Sequence, residues 1–214
     1  MERRLAIVIG SALLVQLFVR YWGQTLDPLR WGMFYWATAA ARIVVPLAVC
    51  AALAIPPGKL GLGKPQLRGR EGLWILGALA VATVVALPLL GMQSYQDAYQ
   101  GLGSSYGRVE RWVSWISFTA STTLSWELFY RGFLLFGLRE VLRAAKRNDA
   151  DTIAILVTAC FEVLSHLIKP PLESFAMLVG SPGLSWFALR QQSLWIPMAV
   201  HVCIEFLWFM SVWH

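Results

Sequence analysis

Three short stretches of the chain hold ionisable side chains at a spacing that could do chemistry. They are Glu127 and Arg131 in 125-SWELFYRGFL-134, Glu162 and His166 in 160-CFEVLSHL-167, and His201 and Glu205 in 200-VHVCIEF-206. Each pair is four residues apart, which in a helix stacks both side chains on one face. All three pairs lie in apolar runs, where a carboxylate or imidazole turned to lipid is expensive, so the three faces are expected to turn toward one another or toward a wet cavity. Taken singly, Glu127 with Arg131 reads as an ion pair fastening two helices, and a His in a membrane helix as an interhelical hydrogen bond. Taken together, two His and three Glu on three faces exceed what helix adhesion needs.

Two chemistries fit that set. In one, a carboxylate and a His hold a water and take its proton, while the other His and a neighbour donate hydrogen bonds to the oxyanion of a peptide carbonyl. In the other, Glu127, Glu162, His166, His201 and Glu205 ligate a divalent metal, since helix bundles can present carboxylates and imidazoles for that purpose. Residue types alone leave both open.

The elements that must position these groups are read from composition. The chain has 214 residues, 57% hydrophobic and only 14% charged, with 11 Trp; soluble domains carry nearly twice that charge. An all-α, polytopic transmembrane bundle in one domain, residues 1–214, is expected, with about seven spans: Leu5–Trp22, Gly32–Ile55, Leu73–Leu90, Val113–Leu138, Ile153–Ile168, Ser174–Leu189 and Leu194–Trp213. The sixth contains Ser181-Pro182-Gly183, a helix-breaking string that suggests a kinked or re-entrant segment. The basic, then apolar, N-terminus is followed by 20-RYWGQTLDPLRW-31 and not by a small-x-small cleavage pattern, so it reads as a retained first span.

The net charge of +6 does not point to nucleic acid, because Lys and Arg fall in short loops where they orient membrane helices. With the N-terminus cytoplasmic, Arg3, Arg4, Lys59, Lys64, Arg68, Arg70, Arg139, Arg143, Lys146, Arg147 and Arg190 lie inside, and Arg20, Arg30, Arg108, Arg111 and Lys169 outside. The polar loop 92–107 is then external, and Trp208, Trp213 and His214 suit the interfacial aromatic belt; the inner or plasma membrane is the expected location. Cys50, Cys160 and Cys203 have neither disulfide nor zinc spacing and read as small core residues. Arg42, in the middle of 38-TAAARIVVPLAV-49, needs a partner: a structural counter-ion or a substrate carboxylate.

The string 127-ELFYRGFLL-135 resembles the first motif of the CPBP intramembrane proteases, Glu-Glu-x-x-x-Arg, a family that includes CAAX prenyl endopeptidases and bacteriocin-processing or self-immunity proteins. Likewise 193-SLWIPMAVHVCIEF-206 resembles its last motif, Ser-Leu-Trp-x-Pro leading to His-x-x-x-Asn, and 161-FEVLSHL-167 takes the place of Phe-x-x-x-His. The resemblance covers a core of about 113–206 in the family's order. It implies an intramembrane endopeptidase acting on a peptide or protein in or near the membrane, without a metal cofactor: the first Glu and first His activate water, and the second His and the Asn stabilise the oxyanion. Glu127 then matches the second Glu, Arg131 the supporting Arg, His166 the first His and His201 the second. Trp126 replaces the first Glu, Glu162 stands where the motif has Phe, and Glu205 stands where it has Asn. Either the base has moved, to Glu162 or Glu127, or the chain is a silent member that binds a peptide or partner helix; a metal-dependent hydrolase is the third reading.

Overall fold

In a computed structural model the described residues are 2–23, 35–66, 108–167 and 171–212, with isolated positions between 69 and 84. Among them the chain is helical throughout, with no strand. We number six helices: α1 (Glu2–Phe18, ending in the π-helical turn Val19–Gly23), α2 (Trp36–Ala52), α3 (108–144), α4 (Ala150–His166), α5 (Pro171–Gln191) and α6 (Trp195–Val212).

Helix α3 is the axis of the molecule. Phe129, Tyr130, Phe133, Leu134, Leu135 and Leu138 are all buried, together with Glu127 and Arg131. Burial on every side is the mark of a central helix rather than an amphipathic surface one. Its backbone widens into π-helical stretches at Thr119–Thr123 and Leu128–Gly137, flanking the four-residue turn Leu124–Glu127. Serines contribute to that geometry. The Ser121 hydroxyl donates to the Ser117 carbonyl at 2.7 Å and the Ser125 hydroxyl to the Ser121 carbonyl at 2.5 Å, offering carbonyls a second partner in competition with the helical ladder. Such widened turns occur preferentially at functional sites.

Elsewhere the helix ends gather on one side. Lys59 faces Glu140 at 3.7 Å, Arg139 Nε donates to Asp151 at 2.8 Å, and Arg139 Nη1 donates to Gln192 at 2.9 Å. The segment after α2 is tied to the start of α6 by Leu194 N–H donating to the Gly61 carbonyl at 2.9 Å and Ser193 to the Gly63 carbonyl at 2.9 Å. Gly61 has φ +71°, and any Cβ there would collide with the Phe136 ring. Both the left-handed backbone and the close approach therefore require glycine.

The surface is apolar where a soluble protein's would be polar. Leu13, Leu14 and Leu17 of α1, Val44 and Leu47 of α2, Leu156 and Leu164 of α4 and Phe175, Leu178 and Val179 of α5 all face outward. Charge, by contrast, is in the middle. By length and hydropathy only Glu2–Trp22 meets the requirement for a complete crossing, and Trp36–Ala52 and Trp195–Leu207 are shorter apolar helices. The described residues thus provide six helices and not the expected seven spans; the third candidate, Leu73–Leu90, falls mostly outside them, as do the loop 92–107, Lys169, Trp213, His214 and the side chain of Trp208.

Two expectations change. Helix α5 runs unbroken through Ser181-Pro182-Gly183; in an apolar setting neighbouring helices and hydroxyl side chains can satisfy the backbone groups a proline frees. Of the cysteines only Cys50 is buried, and Cys160 and Cys203 lie on outward faces.

Candidate functional site

The three helical pairs do converge. Arg131 Nη1 donates to Glu127 Oε1 at 3.0 Å, one turn back on α3, and to Glu162 Oε1 on α4 at 2.5 Å. All three side chains have no solvent exposure. His201 Nδ1, from α6, donates to the same Glu127 Oε1 at 2.6 Å. Helices α3, α4 and α6 are therefore joined through one guanidinium and one carboxylate oxygen, a set of charge-assisted bonds in a low-dielectric interior.

Glu162 is fully occupied. Its Oε1 also accepts from Trp126 Nε1 at 2.6 Å, and its Oε2 accepts from the Ser181 hydroxyl on α5. The indole of Trp126, which stands where the resemblance places the motif's first Glu, is thus a hydrogen-bond donor to Glu162, which stands where the motif has Phe. His166 does not bond the Glu162 carboxylate through its Nδ1. That nitrogen donates to the Glu162 backbone carbonyl at 2.9 Å, and the ring meets the Trp126 ring edge-on, 5.1 Å between centroids. Since a carbonyl only accepts, Nδ1 carries the proton, and in the neutral ring Nε2 holds the lone pair.

Glu127 is different. Its Oε2 is buried without a hydrogen-bond partner, as are Arg131 Nε and Nη2. From Glu127 the chain of contacts runs outward, because His201 is about one-fifth exposed and its Nε2 faces Glu205 Oε1 at 3.6 Å. The second oxygen of Glu205 accepts from Thr123. The site therefore has a dry end at Glu162 and a more open end at His201 and Glu205.

Two further groups arrive from outside the motifs. Arg42 of α2 lays its guanidinium over the Trp126 ring, 4.7 Å from the centroid. Gln16 of α1 places its Nε2 2.8 Å from the Tyr130 hydroxyl and 2.9 Å from Ser165 Oγ, tying α1 to α3 and α4 just beyond Trp126. Sequence reasoning singled out Arg42 but passed over Trp126 as a donor, and Ser181, Thr123, Gln16 and Tyr130. Hydroxyl and amide residues in apolar runs were the available signal.

As a metal site the set fits poorly. Among the described residues no group of three or more His, Cys, Asp and Glu side chains is placed to share an ion. A guanidinium occupies the space between Glu127 and Glu162, where a cation would have to sit.

Among the described residues this is a helical protein with a buried carboxylate–imidazole–guanidinium centre, and its motif-bearing part is similar to one protein family. Residues 108–207, a little under half of the chain, match the family model described as type II CAAX prenyl endopeptidase Rce1-like. No curated protein and no solved structure gives a significant match. The matched segment contains α3 to α6 up to residue 207, and therefore every residue of the three pairs; α1 and α2 lie before it.

Proposed function

We propose that the chain is an intramembrane endopeptidase in which Glu127 orients His201, and His201 with Glu205 activates the attacking water. The observation that carries this is the 2.6 Å bond from His201 Nδ1 to Glu127 Oε1 at the open end of the site. A carboxylate that accepts from one ring nitrogen fixes the tautomer and aims the other nitrogen, here toward Glu205. A single water can bridge His201 Nε2 and Glu205 Oε1 across their 3.6 Å separation. As it attacks the scissile carbonyl carbon, one of its protons passes to Nε2; when the C–N bond breaks, Nε2 returns that proton to the departing amine, leaving a carboxylic acid and an amine.

In this reading Glu162, capped by Arg131, Trp126 and Ser181, is a structural carboxylate and not the base, and no metal is required. We also read the protein as polytopic in the inner or plasma membrane with a cytoplasmic N-terminus, supported by Lys59, Arg139, Arg143 and Arg147 gathering at one end. A membrane-proximal peptide with a fluorophore pair on either side of the cut, offered to the protein in nanodiscs, tests the reading. His201→Ala should lower kcat by about 10²–10⁴ with the melting profile retained, and cleavage at the native rate in that variant would remove His201 from the mechanism. Added chelator should leave the rate unchanged.

A second reading, a silent member that binds a peptide or partner helix, is favoured by one observation: an indole fills the position of the family's first Glu. It predicts that the nanodisc-embedded protein binds the peptide and never cleaves it.

A further inference from the structure

Among the described residues Arg42 is the charged group of the site that comes from outside the family-matched segment, and its chemistry is unfinished. Only 7% of it is exposed. Position 42 lies under two turns inside the start of α2, and its guanidinium is turned inward over the Trp126 ring. A cation there costs a few kcal/mol unless paired or hydrated. Its contact is the face of Trp126 at 4.7 Å, and its Nη1 is buried with no hydrogen-bond partner. No carboxylate makes an ion pair with it among the described residues. Glu127 and Glu162 are held by Arg131, and Glu205, within electrostatic reach of Arg42, is bound to Thr123 and faces His201. The carboxylate that the family motif would supply beneath this guanidinium, the first Glu, is here the indole of Trp126.

We infer that Arg42 is the anchor for a carboxylate brought by the substrate, either the free C-terminus of the peptide or an acidic side chain near the cut. This rests on the peptidase reading and names what that site would recognise. The Trp126 ring lies under the guanidinium, whose planar, fork-shaped donor set matches a carboxylate.

The test uses four peptides of one sequence in nanodiscs: free C-terminal acid or carboxamide, each with an acidic residue beside the cut or its amide counterpart. The native protein should favour one acid over its amide by about ten- to a hundredfold in kcat/KM, mainly through KM, and which acid does so identifies the source of the carboxylate. In Arg42→Gln that ratio should fall to near one, and in Arg42→Lys a weaker preference should persist, which also reports on a folded protein. Cleavage by the native protein with no preference, or a preference that survives in Arg42→Gln, overturns the inference and leaves the peptidase reading standing. If no peptide is cleaved, the peptidase reading fails, and equilibrium binding of the same peptides decides the inference by the same acid-to-amide ratio.

Discussion

Two sets of ion pairs, each of arginine with a carboxylate, sit in opposite surroundings. At the centre, Arg131 bridges Glu127 and Glu162 with no exposure on any partner. At the end of the bundle Arg143 pairs with Asp151, and Arg147 with Asp149, each side chain about half exposed. Exposed pairs lose little when broken, because water solvates the separated charges. A buried pair cannot be judged by its attraction alone, since removal of one member strands the other in a medium that cannot solvate it. The central cluster therefore sets the arrangement of α3, α4 and α6, while the outer pairs trim one corner.

The largest effect expected from this contrast is that of Arg131→Met. It leaves Glu127 and Glu162 buried without their cation and should cost about 3–5 kcal/mol, read as unfolding in a detergent-denaturant titration. Adding Glu127→Gln and Glu162→Gln to the same chain should recover much of it; a loss no larger than that of an outer pair would mean the centre is hydrated.

Next comes the exchange of Trp126 and Glu162. Trp126→Glu crowds a third carboxylate against Arg131, and Glu162→Phe removes an acceptor from Arg131, Trp126 and Ser181 at once. Each alone should destabilise, and the two together should lose less than the sum, with a coupling of about 0.5–3 kcal/mol. Additive losses would show that the two positions are independent substitutions.

Smaller effects belong to the outer corner. Partial burial pushes the Asp151 carboxyl up, but the hydrogen bond and charge of Arg139, with Arg143 adding to them, outweigh it and hold the group below its ordinary value. A carboxyl depressed in the folded state adds stability above the unfolded value, about 3.9, and loses it as pH falls through the folded one. Asp151→Asn should therefore flatten the acid side of the melting-temperature profile below about pH 4, and an unchanged profile would mean the pair is open in solution. The smallest effect is at Asp149, about half exposed and held low by its hydrogen bond from Arg147. Asp149→Asn should change stability only at low ionic strength, and added salt should erase the difference.

Much of the site is legible in the order of residues. The spacing of Glu127 with Arg131 and of His201 with Glu205 puts each pair on one helix face, and the cost of charge in an apolar run turns those faces inward; the contacts among Arg131, Glu127, Glu162 and His201 follow. The partners of each oxygen do not. Glu162 is expected beside His166, and a four-residue spacing does bring them together, but the His166 bond goes to the backbone while the carboxylate goes to the stronger, charged donor Arg131 on another helix. Ser181 reads as part of a helix breaker; in place, it is the hydroxyl that completes Glu162.

The helical class, the inward direction of the ionisable faces and the motif order of residues 108–207 are all written in the chain, because periodicity and the cost of burying charge are local properties. Which carboxylate is capped, and which is left with an unpartnered oxygen, is settled by packing. So are the donation from Trp126 to Glu162 and the position of Arg42, from a helix outside the matched segment, over that ring. Those outcomes depend on competition among donors tens to hundreds of residues apart, and no single helix contains the competitors.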